Sequence, residues 1–511
     1  MKTDNGNSTS VWMATAETTA AQPLTTGIET DVCIVGAGIA GLTTAYLLAK
    51  EGKRVVVIDD GPIAGGETCR TTAHLVNVLD DRYFELEKMF GERGARLAAE
   101  SHTAAIDKIE EIVRAEQIDC DFARLDGYLF VPPGDDVSIL DQELEAVHRA
   151  GLTTTEKIER APIDSFDTGP CLRFPRQAQF HILKYTSALA EAFRRAGGQL
   201  FSPTQASKIE GGKTQARVET SGGATITATA AVVVATNTPV NDLVAIHTKQ
   251  SPYRTYVVGA RVPRGSVPQI LLWDTPDPYH YVRLQPLDGE HDVLIVGGED
   301  HKTGQEDDAA KRYARLEAWT RERFPSAGEI AFRWSGQVME PVDGLAFIGP
   351  NPLDSDNVFI ATGDSGNGMT HGTIAGILLT DLIMGRPNEW AEIYNPSRKP
   401  TGALKDFASE NLNVAAQYTD LVTGGDVSSV EEIAPGMGAI LRRGLSKVAA
   451  YRDEQGTLHE RSAICTHLGC VVAWNSGEGT WDCSCHGSRF APTDGHVLNG
   501  PAISALSTVD E

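Results

Sequence analysis

Four side chains near the C-terminus have the types and spacing of a metal site. Cys465-Thr466-His467 is followed by Cys483-Ser484-Cys485-His486, so two short segments each supply one cysteine and one histidine. Thiolates and imidazoles bind zinc, and they also bind iron–sulfur clusters. Each segment brings one further cysteine, Cys470 or Cys485, that a four-ligand zinc shell does not need. The pattern predicts a metal centre and leaves a structural zinc module as the alternative.

A glycine pattern near the N-terminus is typical of dinucleotide binding. Gly36-Ala37-Gly38-Ile39-Ala40-Gly41 follows an apolar run at 31–35 and opens a stretch with helical spacing. Gly36 permits a tight turn, Gly38 lets the backbone approach a pyrophosphate, and Gly41 allows close packing of helix on strand. Asp59 ends the next apolar run, where a carboxylate can accept hydrogen bonds from a ribose hydroxyl. An ordinary glycine-rich turn is the alternative.

Both sites need a scaffold, and the chain alternates between helical and strand-like patterns. Helical spacing marks 95–116, 182–196 and 373–385, and apolar runs predict strands at 54–59, 231–236, 255–262, 292–298 and 357–361. A polar, partly helical stretch follows Pro400, and the composition of 423–429 is that of a linker. The short runs beyond it contain no long helix, which predicts a small β domain.

Composition and charge exclude several classes of protein. Hydrophobic residues make up 41% of the 511 residues and charged residues 22%, which is typical of a folded globular chain. The net charge of −24 repels phosphate backbones and anionic lipids, so we expect neither nucleic acid nor a membrane as a partner. No apolar run approaches the roughly 20 residues of a membrane span, and no leader pattern is present. The expected location is cytoplasmic.

Three further segments, at 65–72, 232–237 and 362–371, resemble those of the D-amino-acid-oxidase-like FAD oxidoreductases. The resemblance covers about 31–398 and implies FAD as a cofactor. It implies that FAD is bound by Gly36, Gly38, Gly41, Asp59, Thr68, Arg70, Thr71, Thr72, Ala235, Thr236, Gly363, Gly366, Asn367, Gly368 and Met369. A second GxGxxG is absent, so we expect a small-molecule substrate rather than NAD(P)H to reduce the flavin. Cys69 is expected to be a packed thiol, with covalent flavin attachment as the alternative.

The C-terminal cysteine and histidine segments resemble the Rieske [2Fe–2S] proteins of the cytochrome bc type. The resemblance implies Cys465, His467, Cys483 and His486 as cluster ligands and a disulfide between Cys470 and Cys485. Gly500-Pro501-Ala502 resembles the third loop that covers the cluster in that family. Ser488 is present, but Phe490 stands where the high-potential members have tyrosine, and losing a hydrogen-bond donor to the cluster predicts a lower potential.

Four segments rich in aromatic residues, at 174–185, 251–260, 273–283 and 333–344, resemble substrate-domain segments of flavin oxidoreductases fused to a Rieske domain. Arginine beside aromatic side chains suits a carboxylate bound next to an apolar wall. The candidate substrate residues are Tyr253, Arg254, Tyr281, Arg283, Trp334 and His371. Packing of ordinary sheet residues and structural histidines is the alternative, and we expect no single catalytic base.

The predicted fold class is α/β: a Rossmann-like FAD-binding domain with an interwoven antiparallel substrate domain, followed by a small all-β Rieske domain. The predicted boundaries are an arm at 1–29, the oxidoreductase domain at 30–400, a linker at 401–428 and the Rieske domain at 429–511. The helical first half of the linker favours fixed docking of the two domains.

The predicted function is oxidation of a small substrate, an amine or an amino acid, with electrons passing from flavin to the cluster. A one-electron protein acceptor or donor is the expected partner of the cluster. The alternative is a non-catalytic flavin and iron–sulfur electron carrier. A simple oxidase that uses O₂ would leave the cluster without a role.

Overall fold

The N-terminal part of the chain is built on two large sheets. The computed structural model describes residues 5–241, 246–352, 356–399 and 401–509. The outermost positions of the predicted arm, oxidoreductase domain and C-terminal domain (1–4, 400 and 510–511) lie outside the described residues.

The first sheet positions the glycine turn. Its centre is parallel, because Ile28–Val35 pairs with Thr225–Val234 on one side and with Val55–Ile58 on the other. These valine-rich runs are buried on both faces, as expected for a parallel sheet covered by helices. In spatial order its strands are Phe347–Pro350, Val358–Thr362, Thr225–Val234, Ile28–Val35, Val55–Ile58 and Gln199–Phe201, with Ala206–Glu210 and Ala216–Thr220 attached beside Thr225–Val234.

The second sheet is largely antiparallel and forms the wall opposite. Its longest pairing joins Gln250–Pro263 to His291–Lys302 and to Ile330–Pro341. One pair, Ala123–Phe130 with Leu271–Asp274, is parallel, so this sheet is mixed. In spatial order its strands are Ile330–Pro341, Gln250–Pro263, His291–Lys302, Tyr281–Pro286, Leu271–Asp274, Ala123–Phe130, Cys171–Gln179 and His74–Leu75, with Glu156–Ile158 beside Cys171–Gln179.

Helices cover the first sheet and join the two sheets. Ile39–Lys50 and Gly368–Ile383 pack against each other and against the parallel strands, and both are mostly buried. The α-helices of the described residues are Val11–Thr15, Ile39–Lys50, Tyr83–Ala115, Ser138–Arg149, Ile182–Arg195, Ala309–Arg323, Gly368–Ile383, Ala391–Tyr394 and Leu404–Gln417. The predicted helix at 373–385 is observed as Gly368–Ile383, so it includes the last glycine of the glycine-rich segment before it.

The C-terminal part is a small β domain, as the sequence predicts. One sheet has three antiparallel strands, Gly438–Arg443, Ser446–Arg452 and Leu458–Ser462. The other has four, Val472–Asn475, Thr480–Cys483, Arg489–Phe490 and Val497–Asn499. Its core contains Trp474, Trp481 and Phe490. The predicted fold class, an α/β domain with a mostly antiparallel second sheet and an all-β domain, is confirmed.

Two segments connect the domains physically. The helix Leu404–Gln417 contacts the N-terminal domain, where Glu410 pairs with Lys302 at 2.6 Å. The next turn reaches the C-terminal domain, where the Tyr418 hydroxyl donates to the Leu468 carbonyl at 2.8 Å. At the other end of the chain, Trp12 of the N-terminal arm is fully buried in the core of the large domain, and Ser8 Oγ donates to Glu478 Oε1 of the C-terminal domain at 2.6 Å.

None of the described helices combines the length and the apolar character that a membrane crossing requires.

Candidate functional site

The glycine turn closes at the end of the strand Ile28–Val35 and opens the helix Ile39–Lys50. Gly36 has a φ of +106°, and a Cβ there would lie 2.3 Å from the Ala235 carbonyl oxygen. A Cβ on Gly41 would lie 1.9 Å from the Gly36 carbonyl oxygen. Both positions therefore require glycine, the first for backbone conformation and the second for close packing.

Asp59 lies at the end of the neighbouring strand and faces the same turn. Its carboxylate accepts hydrogen bonds from the backbone N–H of Ala37 at 2.6 Å and of Gly61 at 2.9 Å. These bonds hold the carboxylate beside the helix that begins at Ile39, with the cavity in front of it. The turn, the helix start and the acidic side chain together form a place that fits a dinucleotide.

A cavity of about 890 Å³ extends from this turn to the second sheet. Most of the predicted cofactor residues line it: Gly36, Gly38, Asp59, Thr68, Arg70, Thr71, Thr72, Ala235, Thr236, Gly366, Asn367, Gly368 and Met369. Gly41 and Gly363 do not line it, because Gly41 packs under the turn and Gly363 faces Pro341 and Gln250. Residues 497–500, 502 and 503 of the C-terminal domain line the same cavity.

The loop formed by residues 70–73 is held from behind by three large side chains. The indole N–H of Trp334 donates to the Arg70 carbonyl at 2.8 Å, and that of Trp12 donates to the Thr71 carbonyl at 2.6 Å. Arg283 Nη1 donates to the carbonyls of Thr72 at 3.1 Å and Ala73 at 2.8 Å. This loop is therefore fixed before any ligand binds.

The placement of the candidate substrate residues corrects part of the expectation. Tyr253, Tyr281 and His371 line the cavity. Arg283 and Trp334 do not line it, since they are buried behind the 70–73 loop. Arg254 does not line it either, and its guanidinium contacts Asp482 of the C-terminal domain instead. The interpretation of the two arginines as ligands for a substrate carboxylate is thus wrong, because both side chains are buried outside the cavity and their Nη atoms bond to other protein groups.

The Arg70 side chain differs from its expected role, whereas Cys69 is the buried, packed thiol that the sequence analysis expects. The Arg70 side chain is fully buried, and its Nη1 lies 3.3 Å from Glu478 Oε2 and 2.8 Å from Ser8 Oγ. The Cys69 thiol donates towards the Gly65 and Gly66 carbonyls and does not line the cavity. This orientation argues against covalent attachment of a flavin at Cys69.

A buried charge network joins the two domains. Glu478 and Asp482 of the C-terminal domain face Arg70 and Arg254 of the N-terminal domain, and Arg489 lies beside Asp482. Burial opposes ionisation of Glu478, but the arginines outweigh it and lower the pKa of that carboxyl to about 2. Both acidic residues are therefore charged at neutral pH, and each compensates a buried arginine.

The predicted cluster ligands converge from two similar loops. The Gly469 N–H bonds to the Cys465 carbonyl at 3.0 Å, and the Gly487 N–H bonds to the Cys483 carbonyl at 3.0 Å, so both loops make the same turn. The two thiols contact each other, which lowers the pKa of Cys465 and raises that of Cys483.

The histidines complete the candidate metal centre. The rings of His467 and His486 lie 5.0 Å apart between centroids. His486 Nδ1 is buried and has no hydrogen-bond partner among the described residues. Two thiols and two imidazoles, one of them with an orphaned nitrogen, fit a [2Fe–2S] cluster bound on one iron by cysteine and on the other by histidine.

The remaining cysteines of the two loops form the disulfide that the resemblance implies, between Cys470 and Cys485. The sulfur of Cys483 lies within 4.8 Å of both disulfide sulfurs. Ser488 Oγ accepts a hydrogen bond from the Ala502 N–H at 3.0 Å, which places the third loop against the first two. The disulfide thus joins the two ligand loops directly beside a ligand.

The histidine edge of this centre faces the N-terminal domain. The His247 ring lies 4.9 Å from the His467 ring and 5.7 Å from the His486 ring. Gln337 lines the cavity, and its Nε2 donates to the Gly487 carbonyl at 2.9 Å. One side chain therefore spans the distance from the cavity to the residue that follows a predicted ligand.

Several acidic residues of the cavity were not predicted from the sequence. Asp80 accepts a hydrogen bond from the Tyr279 hydroxyl at 2.6 Å, and Glu340 accepts one from Ser365 at 2.7 Å. Burial raises the pKa of Asp80 to about 7 and that of Asp300 to about 6. The doublet Asp80-Asp81 directly after an apolar run is the one local signal that marks the first of them.

Comparison with known proteins agrees with the division of the chain into a large N-terminal domain and a small C-terminal domain. Residues 31–382 match the family described as FAD dependent oxidoreductase, and residues 425–510 match the Rieske [2Fe-2S] domain. A protein of Bacillus subtilis, YhfW, whose name describes a Rieske 2Fe-2S iron-sulfur protein, is 34% identical over 98% of this chain and 97% of its own length. Gamma-glutamylputrescine oxidoreductase of Escherichia coli is 27% identical over 74% of this chain and 89% of its own length.

Solved structures share the fold of the large domain. Glycine oxidase from Geobacillus kaustophilus has a TM-score of 0.61 and 20% identity, over 73% of this chain and 99% of that one. L-amino acid deaminase from Proteus vulgaris has a TM-score of 0.60 and 18% identity, over 75% of this chain and 100% of that one.

Proposed function

Because the chain belongs to the FAD-dependent oxidoreductases and carries a C-terminal Rieske [2Fe–2S] domain, we propose that it oxidises a small amine or amino acid and passes the electrons to its own cluster. When bound, FAD supplies two-electron chemistry and the cluster supplies one-electron chemistry. Below, the flavin domain is residues 31–382 and the Rieske domain is residues 425–510.

The observation that carries this proposal is the contact of Gln337 with the Rieske domain. Gln337 belongs to the wall of the FAD cavity and hydrogen-bonds the carbonyl of Gly487, next to the ligand His486. Residues 497–500, 502 and 503 of the Rieske domain close the same cavity. Such direct contact between the two sites supports electron transfer inside one chain over a role of the Rieske domain in docking alone.

The residues around the cavity have separate tasks in this proposal. The 70–73 loop and the start of the helix Gly368–Ile383 hold the cofactor. A helix N-terminus presents unpaired N–H groups that stabilise negative charge, and reduction adds negative charge to a flavin. Tyr253 and Tyr281 shape the open part of the cavity beside it.

The docked interface covers the histidine edge, so a protein partner must approach the cluster from another side. Leu468, which follows the ligand His467, is 36% exposed. We place the exit of electrons to a one-electron protein acceptor at this loop. Its carbonyl accepts the Tyr418 hydroxyl, so the loop is held in place by the connecting segment.

The test is anaerobic mixing of the holoenzyme with amines and amino acids. Flavin bleaching and the electron paramagnetic resonance signal of the reduced cluster are followed together. We expect a substrate that bleaches the flavin and then reduces the cluster at a rate independent of protein concentration, because the transfer is internal. Gln337→Met should slow the second step and leave the first unchanged.

The matched control is Cys465→Ser, which should retain flavin reduction and lose the cluster signal. A flavin that bleaches while the cluster stays oxidised over minutes would contradict internal transfer. A flavin that no amine or amino acid bleaches would favour the non-catalytic carrier.

A further inference from the structure

Most of the charged side chains that line the cavity are acidic. Among the described residues that line the cavity, the lysines and arginines are only Arg70 and Arg82. Arg70 Nη1 pairs with Glu478 in the interdomain network, and Arg82 Nη2 donates to the Asp274 carbonyl at 3.4 Å. Besides Asp59, Asp60, Glu67, Asp406 and Glu410, the carboxyl groups that line the cavity are those of Asp80, Asp81, Glu85, Asp277, Asp300, Glu340 and Asp364.

Three of these carboxyl groups have no ion-pair partner among the described residues, and the charge of the nearby Arg82 offsets the burial of Asp80 and Asp81 only in part. Glu340 and Asp81 share one donor, the Ser365 hydroxyl, at 2.7 and 3.4 Å. Asp80 has the Tyr279 hydroxyl at 2.6 Å. In the part of the chain that the structure describes, no lysine or arginine forms an ion pair with Asp80, Asp81 or Glu340. These three groups therefore have unused capacity to accept hydrogen bonds from a cation.

A second acidic position lies on the aromatic side of the cavity. Asp300 Oδ1 is buried and has no hydrogen-bond partner among the described residues, and Asp300 lines the cavity. Tyr281 packs at this side, with its hydroxyl 2.7 Å from Thr255 Oγ1. Asp364 Oδ1 is orphaned in the same way, in the loop before the helix Gly368–Ile383. Orphaned buried acceptors are costly, and a donor from a ligand would satisfy them.

Burial and mutual repulsion keep these acids from ionising freely. Burial raises the pKa of Asp364 to about 6, and burial together with Asp81 raises the pKa of Glu340 well above its usual value. A cation in the cavity would reverse both effects, since an opposite charge favours the ionised carboxylate. An anion would be repelled, and it would find neither of the arginines, Arg254 and Arg283, that the sequence had suggested for it.

We propose that the substrate is a cationic aliphatic amine with a second cationic nitrogen and no carboxylate, that is, a diamine or polyamine. This inference rests on the proposed function and narrows its substrate class. The group around Ser365, formed by Asp81, Glu340 and the nearby Asp80, binds the nitrogen that is not oxidised. Asp300 and the tyrosines beside it bind the other end of the aliphatic substrate.

The experiment compares three probes that each contain four carbon atoms: 1,4-diaminobutane, 1-aminobutane and 4-aminobutanoate. Binding is measured by calorimetry on dithionite-reduced, anaerobic holoenzyme at 0.15 M salt, so that no probe can be turned over. We expect the diamine to bind at least about tenfold more tightly than the monoamine, as for a charge-assisted hydrogen bond, and the aminobutanoate to bind more weakly than either.

Charge-removing variants of matched shape locate the binding group. Asp80→Asn and Glu340→Gln should each weaken diamine binding by about tenfold and change monoamine binding much less. The control is Asp164→Asn, which removes the same charge from an exposed side chain that does not line the cavity. Flavin content and thermal unfolding establish that each variant is folded.

Three results would overturn the inference: aminobutanoate binding as tightly as the diamine, no binding of the diamine, or equal losses in Asp164→Asn and Asp80→Asn. The last would mean that the diamine responds only to the net charge of the protein. Failure of the proposed function has a different signature, because it is read from flavin and cluster reduction in the oxidised enzyme. An amino acid that bleaches the flavin would agree with the proposed function and would exclude only the diamine as its substrate class.

Discussion

Arg254 Nη2 of the flavin domain lies 3.3 Å from Asp482 Oδ2 of the Rieske domain, and both side chains are only 1% exposed. With Arg70 and Glu478 this pair forms a charged interface from which water is excluded. A buried pair stabilises an interface only while both partners are present, since a single buried charge is costly. The two domains should therefore stay docked rather than swing apart.

Glu478→Gln should destabilise the docked chain, because it leaves Arg70 and Arg254 buried with less compensating charge. We expect a loss of about 3–5 kcal/mol in the free energy of unfolding, measured with urea. The control is Glu460→Gln in the same domain, where the partly exposed pair with Arg443 predicts a loss of less than about 1 kcal/mol. Equal losses in the two variants would contradict a structural role for the network.

The same carboxyl predicts how stability depends on pH. The pKa of Glu478 falls from 4.5 to about 2 on folding, so its contribution is full above about pH 5 and is lost as the pH falls towards 2. The stability gap between the wild-type protein and Glu478→Gln should therefore shrink progressively below pH 4.5. Urea midpoints between pH 3.5 and 7 measure it, and a gap that widens in acid would exclude this assignment.

Trp334→Phe should weaken FAD binding without unfolding the protein. The variant keeps the aromatic packing but removes the indole N–H that holds the Arg70 carbonyl, so the 70–73 loop loses one buried hydrogen bond. We expect the Kd for FAD to rise about threefold to tenfold, measured by reconstitution of apoprotein. The control is Trp390→Phe, because Trp390 is partly exposed and does not line the cavity, and this variant should leave the Kd unchanged.

His486→Ala should abolish the Rieske signal and lower the iron content from two atoms per chain. Its Nδ1 is the orphaned buried nitrogen of the site, and a four-ligand set cannot be completed without it. Iron analysis and electron paramagnetic resonance measure this loss. Stoichiometric zinc with no iron in the freshly isolated wild-type protein would decide for the structural zinc module instead.

Phe490→Tyr should raise the reduction potential of the cluster. Phe490 is fully buried in the core that contains Cys465 and Cys483, and a hydroxyl there would donate a hydrogen bond towards the cluster sulfurs. A potentiometric titration followed by electron paramagnetic resonance gives the shift. Phe130→Tyr, in the core of the flavin domain, serves as the control. A potential that is unchanged in both variants would contradict the inference that a missing hydroxyl at position 490 lowers the potential of the cluster.

The sequence by itself determined the features that depend on neighbouring residues. The turn from Gly36 to Gly41 needs glycine because of contacts that the turn makes with itself and with the adjacent strand. The ligand loops at Cys465 and Cys483 are equally local, since each closes on its own backbone within four residues. Backbone requirements of this kind leave a pattern in the letters, so the cofactor, the cluster and the fold class could be predicted.

Only the tertiary structure decided which distant side chains meet. Arg254 looked like a substrate ligand because arginine beside tyrosine suits a carboxylate, yet it pairs with Asp482 across the domain border. Glu340 carries no motif, and only the folded chain brings it to the Asp80-Asp81 doublet, where Ser365 bonds both Glu340 and Asp81. The strength of a charge contact depends on the dielectric and on partners far away in sequence, and both exist only once the chain is folded.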